Sequence, residues 1–264
     1  MYYLYTMSTF LFDTIIFGPV WSRRLGESLG INLLPAGIKV CNFNCVYCEC
    51  GLTPATGQAA RFPDAHNVKT QLEEKLHEMK QKGDYLDCIT FAGNGEPTLH
   101  PDFPRIVNET IQTRNHFFPN VKIAVLSNAT LIEDKKIFDA LMTVDLNILK
   151  LDSAINSTLQ VINCPRGNFN LNNIISGFSH FKGRLIIQTL FFRGKCNGID
   201  IDNTTSHEID KWLDVINTIR PECVMMYSLA RDTAVNNLTR ISAGELNDIA
   251  EKVKNIGIET IITP

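Results

Sequence analysis

Short apolar runs rich in β-branched residues alternate along the chain with longer stretches whose apolar residues recur every three or four positions. Ile31–Leu34, Cys88–Phe91, Val121–Leu126, Leu146–Leu151, Leu185–Phe192 and Cys223–Tyr227 predict strands. Val68, Leu72, Leu76 and Met79 predict a helix that Gly83 stops. Ile209, Trp212, Leu213, Ile216 and Ile219 form a second helical stripe, ended before Pro221. Ser242 with Glu245 three residues later reads as a capping box ahead of Leu246, Ile249 and Val253. Gly257 follows that helix, and Ile258–Ile262 predicts a last short strand.

Repeated strand–helix units build a parallel sheet with right-handed crossovers. Six strand runs are too few for an eight-fold barrel, which takes ~250 residues of regular repeat. The expectation is an α/β fold, a partial (β/α)6 TIM-like barrel with a curved parallel sheet. Its chemistry should gather at the C-terminal ends of the strands. No repeat or low-complexity linker interrupts the pattern, so residues 1–264 read as one domain, with 1–29 as an N-terminal extension packing on the barrel.

Composition narrows the class. Hydrophobic residues make up 44% and charged ones 20%, ordinary for a globular enzyme. Lys and Arg number 25 against 28 Asp and Glu, a formal charge of −3, which argues against a protein that holds nucleic acid mainly by charge. No apolar run reaches the ~18–20 residues of a membrane span. The apolar N-terminus lacks a basic leading region and is interrupted by Asp13, unlike a signal peptide. The expectation is a cytoplasmic protein with no membrane contact, translation starting at Met1 or Met7.

Eight cysteines are many for such a protein, and four fall within ten residues: Cys41, Cys45, Cys48 and Cys50. A tight group in a reducing compartment points to metal rather than to disulfides. Cys41, Cys45 and Cys48 follow the first strand, spaced four and then three apart, so one loop can bring three thiolates to one small cluster. A structural zinc would want a fourth ligand, which Cys50 or His66 could supply. Cys88, Cys164, Cys196 and Cys223 are scattered and lack ligand-like spacing, so one cluster is expected.

The Cys-x3-Cys-x2-Cys loop, with aromatic Tyr47 before its last cysteine, resembles the signature of radical S-adenosylmethionine (SAM) enzymes. The resemblance implies a 4Fe–4S cluster on Cys41, Cys45 and Cys48. Its open iron would bind SAM and cleave it reductively to a 5′-deoxyadenosyl radical, which abstracts hydrogen from substrate. Gly93-Asn94-Gly95-Glu96 is similar to the family's Gly-Gly-Glu turn, implying that Glu96 and this turn hold the methionine amine. Ser127 and Asn128 end the third strand and Lys150 and Asp152 the fourth, where the family places cofactor contacts. Each is equally suited to capping a helix. Tyr47 would pack near the adenine, and Gln188, a polar residue in an apolar strand, would face cofactor, substrate or a core partner.

Upstream, Phe17-Gly18-Pro19-Val20-Trp21-Ser22-Arg23-Arg24-Leu25-Gly26 resembles the opening of radical enzymes related to the wyosine-forming tRNA enzyme. Trp21 stands in place of Pro, and the first 40 residues hold no cysteine for the second cluster those enzymes carry. The resemblance implies an external flavodoxin or ferredoxin as electron donor. It leaves RNA, peptide and small-molecule substrates open. The competing class is a non-catalytic iron–sulfur electron-transfer protein or a zinc-stabilised interaction protein.

Overall fold

The computed structural model describes residues 10–54 and 61–263. In chain order they form β1 (Ile16–Ser22), β2 (Gly26–Ile31), α1 (Ala65–Lys82), β3 (Cys88–Phe91), α2 (Phe103–Phe117), β4 (Lys122–Ser127), α3 (Lys135–Leu141) and β5 (Leu146–Lys150). Then follow α4 (Asn156–Asn163), α5 (Leu171–His180), β6 (Ile186–Leu190), β7 (Phe192–Cys196), β8 (Ile199–Asp202) and α6 (Ser206–Ile219). β9 (Cys223–Tyr227), β10 (Leu238–Arg240), α7 (Ala243–Asn255) and β11 (Glu259–Thr263) complete the order.

The main sheet runs β1-β2-β3-β4-β5-β6-β9-β11, and every pairing from β2 to β11 is parallel. Only β1 is antiparallel, joined to β2 by a tight turn that pairs Ser22 with Gly26. This is an α/β fold whose curled, mostly parallel sheet makes a partial TIM barrel, as the strand count predicted. Residues 16–31, largely the expected N-terminal extension, supply the first two strands, while residues 1–9 of it lie outside the described residues. The first parallel strand ends at Ile31, where the apolar run was expected to begin. Gly-Glu-Ser-Leu-Gly carries too few apolar side chains to announce it, because its lumen-facing positions are small.

Period-two alternation sorts the strand residues onto two faces. Outward, Leu29, Ile31, Ile89, Phe91, Ile123, Val125, Leu149, Ile187, Val224 and Met226 pack with the helix stripes Val68/Leu72/Leu76/Met79 and Ile209/Trp212/Ile216. Inward, Cys88, Ala124, Ile148, Ile186, Cys223 and Met225 form a separate small core inside the barrel. Cys88 and Cys223 are therefore lumen packing, as buried thiols usually are.

The helix ends follow the local chemistry. Gly83 closes α1 in the left-handed conformation (φ +72°), and Ser242 with Glu245 forms the expected capping box on α7. The run predicted as one strand over Leu185–Phe192 splits instead. β6 stays in the barrel, whereas β7 joins β8 and β10 in a three-stranded antiparallel sheet. Nothing in the apolar letters marks the break. Asn203 makes it, its side chain bonding Leu190 O at 2.8 Å, Asp152 O at 2.9 Å and Phe192 N at 3.0 Å.

Candidate functional site

The cysteine loop is held as a strap across the C-terminal ends of the strands. Asn44 N–H donates to Asn163 O at 3.0 Å and Val46 N–H to Ile162 O at 2.9 Å, tying the loop to the end of α4. Arg166 N–H returns a bond to Asn42 O at 2.8 Å. On the other side, Val40 N–H donates to Asn94 O at 2.8 Å and accepts at its own carbonyl from Glu96 N–H at 3.1 Å. The loop start and the Gly-x-Gly-Glu turn are thus one backbone unit. A Cβ on Gly95 (φ +137°) would sit 2.0 Å from Val40 O, so glycine there serves this close approach.

Glu96 is buried with four hydrogen bonds. Its Oε1 accepts from Ser127 Oγ at 2.8 Å, Thr98 Oγ1 at 2.6 Å and Thr98 N at 3.1 Å, and its Oε2 from Asn128 N at 2.6 Å. Burial pushes its carboxyl up, and these bonds pull against that. A desolvated carboxylate positioned this firmly is suited to a cationic ligand.

The upper layer of the barrel lumen is polar where the lower one is apolar. Lys150 pairs in register with Gln188, and Leu190 with Tyr227, so alternation aims Lys150, Gln188 and Tyr227 at the same space. Together with Cys41, Cys45, Cys48 and Glu96 they line a cleft of about 320 Å³. Lys150 Nζ donates to Tyr47 OH at 2.7 Å and lies 3.5 Å from Asp152. Burial pulls the Lys150 ammonium down, but Asp152, Tyr227 and Cys45 outweigh it and hold it charged. Tyr47 OH donates to Asp152 in turn. Asn163 joins the group by donating to Asp152 at 2.6 Å, Tyr47 OH at 3.2 Å and Cys45 Sγ at 3.3 Å.

The three thiols sit in different fields. Burial pushes Cys41 up to about 12 and Cys45 to about 11. Cys48 is drawn down to about 5, chiefly by a bond from the Cys50 thiol, with Lys39 adding to it. Lys39, buried and donating to Gly51 O at 2.7 Å, is pulled down by burial but held up by the charges of Cys48, Cys41 and Cys45. Among the described residues no three His, Cys, Asp or Glu side chains are already gathered as ligands of a metal ion, and the Cys50 thiol donates to Gly93 O at 3.4 Å. The donor set nevertheless suits an iron–sulfur cluster: three thiols on one loop, with N–H donors from Phe43 to Cys41 (3.4 Å) and from Asn163 to Cys45 (3.3 Å). A polar atom is also left over for a small molecule, because Gln188 Nε2 is buried in the cleft without a partner among the described residues.

Of the residues singled out in the sequence, Cys41, Cys45, Cys48, Tyr47, Gly93, Gly95, Glu96, Ser127, Asn128, Lys150 and Gln188 all line this cleft. Asn94 and Asp152 do not. The Asn94 side chain is consumed by Phe12 (2.8 Å) and Pro35 O (3.0 Å), so it anchors the segment ahead of β1. Asp152 lies behind Tyr47 and Lys150, with Leu190 N–H on its Oδ1 at 3.0 Å, and acts on the cleft through them. Cys50 borders the cleft, and His66 is exposed on α1 outside it. Asn163 and Lys39 were not singled out. Lys39 had a signal, a lone charge in Gly-Ile-Lys-Val beside the first cysteine, whereas Asn163 had none.

Comparison with known proteins agrees with this geometry. Residues 37–170 match the family described as the Radical SAM superfamily. A protein named GTPase Obg from Brachyspira hyodysenteriae is 30% identical over 83% of this chain and 30% of its own. A UPF0026 protein of Helicobacter pylori is 33% identical over 68% of this chain and 57% of its own. A UPF0026 protein of Synechocystis is 31% identical over 80% and 74%. The chain therefore spans only about a third to somewhat over half of the first two relatives.

Solved structures share the fold. A radical SAM methyltransferase from Sphaerobacter thermophilus superposes with a TM-score of 0.65 at 15% identity, over 89% of this chain and 65% of its own. Streptococcus suis SuiB bound to S-adenosylmethionine gives 0.60 at 15%, over 86% and 49%. Archaeal TYW1 gives 0.54 at 13%, over 86% and 71%. No helix among the described residues is long and apolar enough to cross a membrane.

Proposed function

Because the chain belongs to the radical SAM superfamily, with UPF0026 proteins among its relatives, we propose that it is a radical SAM enzyme whose cofactors meet in the cleft beneath the cysteine loop. Cys41, Cys45 and Cys48 hold a 4Fe–4S cluster, and SAM lies against Glu96. When bound, the pair would supply the chemistry of one-electron reductive cleavage of SAM and hydrogen abstraction from substrate.

The chain's own residues divide the work. Glu96 binds the methionine ammonium, its carboxylate oriented by Ser127, Thr98 and the Asn128 amide. Gln188 offers its unpartnered Nε2 as a donor to the nucleoside side of the ligand. Tyr47, fixed by Lys150 and Asp152, presents a rigid wall, and Asn163 holds Cys45 by its sulfur. An external flavodoxin or ferredoxin supplies the electron. Kinship to the wyosine-forming tRNA enzyme is supported by the N-terminal motif alone, and RNA is one substrate class among those it allows.

The observation that carries this reading is that three loop cysteines and a buried carboxylate, Glu96, line one cleft at the strand ends. Anaerobic reconstitution with iron and sulfide, reduction by dithionite and addition of SAM should accumulate 5′-deoxyadenosine. Cys45→Ala should lose both the cluster absorbance and the product. An intact, reducible cluster that yields no product would make this an electron-transfer protein, and stoichiometric zinc without iron uptake would make it a structural zinc protein.

A further inference from the structure

A second observation at the cleft concerns the substrate, and it rests on the reading above. A small recess of about 50 Å³ adjoins the cleft, shares Arg24, Tyr47, Glu49 and Tyr227 with it, and is flanked by Arg231. Arg24 comes from the turn between β1 and β2, and its guanidinium lies over the Tyr227 ring, 4.4 Å from the centroid. The aromatic face fixes the plane of the guanidinium without using its N–H donors.

Three other cations at this end of the barrel are matched among the described residues. Lys150 has Asp152 at 3.5 Å, Arg231 has Glu49 at 2.8 Å, and Lys39 has the Gly51 carbonyl at 2.7 Å and the Cys48 thiol. Arg24 differs: its Nη1 is buried with no hydrogen-bond partner among the described residues. Burying a guanidinium nitrogen without an acceptor is unfavourable unless a ligand completes it. A planar cation with donors free is matched by the paired oxygens of a carboxylate or phosphate. Glu96, which has no cation partner among the described residues, is already engaged by four donors from Thr98, Ser127 and Asn128. The cleft thus has a cation-seeking end and an anion-seeking end.

We propose that Arg24, held on Tyr227, binds a phosphate or carboxylate group of the substrate. With a formal charge of −3 over the whole chain, the half-buried Arg24 acts as a local device rather than as part of a protein-wide basic surface.

The test uses the full chain. Inorganic phosphate and, separately, acetate are titrated calorimetrically at constant ionic strength into wild type, Arg24→Met and Arg24→Lys. One of the two anions should saturate, with binding weakened about fivefold or more in Arg24→Met and largely kept in Arg24→Lys. A melting temperature of Arg24→Met at or above wild type, without anion, shows that the variant folds. Absence of saturation by either anion, or equal binding in Arg24→Met, overturns the proposal. SAM affinity of the reconstituted protein, by equilibrium dialysis, should be the same in Arg24→Met. A loss of about tenfold would assign Arg24 to the carboxylate of SAM itself and overturn the substrate assignment. Anion binding in a protein that takes up no SAM would leave the anion site standing and remove the radical reading instead.

Discussion

The two faces of the curled sheet are written by the same strands and obey different rules. On β5, Leu149 points outward into a dry layer against the helices, while Ile148 and Lys150 on either side of it point into the lumen. The outer face is mainly apolar, with Asn147 and Thr189 as its buried polar exceptions. The lumen changes character along its length, from Cys88, Ala124, Ile148, Ile186 and Cys223 to Lys150, Gln188 and Tyr227 two to four residues further on. Most of the apolar packing therefore lies on one face, and the polar groups that line the cleft lie at one end of the other. A mutation should affect folding or ligand binding according to the face and layer it touches.

The largest expected effect tests the outer face. Phe91 is fully buried there and meets Phe103 edge-on at 6.0 Å, so Phe91→Ala should cost about 3–5 kcal/mol in denaturant unfolding. SAM affinity of the fraction that remains folded should be unchanged. A large loss of that affinity would break the separation of the two faces. Next comes Glu96→Gln, which should weaken SAM binding about tenfold or more by equilibrium dialysis, because a charge-assisted bond is lost. Its unfolding cost should stay near 1–3 kcal/mol, set by the Asn128 N–H left without an acceptor.

Gln188→Leu sharpens the contrast further. Removing a buried donor that has no partner should leave the melting temperature equal or slightly higher, while SAM binding falls a few-fold. A clear drop in stability would mean that Gln188 belongs to the folding core after all. The smallest effect lies on the helix layer, at Glu245. Bonds from the Ser242 N–H and hydroxyl, then from Arg193, hold its carboxyl down to about 2, so its contribution to stability is present above the ordinary value of 4.5. It should be lost as the pH falls from 4.5 towards 2. The melting difference between wild type and Glu245→Gln, modest at neutral pH, should vanish over that window.

How far the sequence revealed all this depended on whether a residue acts locally. The cysteine loop, Glu96, Ser127 and Asn128 were readable because a strand end delivers its next few residues to the barrel mouth whatever the rest of the fold does. Lys150 and Gln188 were readable for the same reason, as polar letters at the lumen positions of apolar strands. Asp152 and Asn94 occupied equally promising positions but turned to other partners, Tyr47 in one case and Phe12 in the other, across more than 80 residues of chain. Asn163 escaped notice because its contact with Cys45 exists only once α4 has folded against the loop. The split between β6 and β7 was hidden too, since Leu-Phe-Phe suits either of the cores it divides.

The backbone ties of the cysteine loop bear on how the protein would fare with and without the cluster proposed for it. Zinc fingers and similar small domains fold only when their metal arrives, so their binding energy is spent on folding. Here the strap is already fastened by main-chain bonds to Asn94, Asn163 and Ile162, none of which involves a thiol. If the proposed cluster is bound here, its loss to a chelator or to oxygen would strip the site without unravelling the barrel. The protein without it would stay a folded acceptor, repairable by reloading rather than by resynthesis.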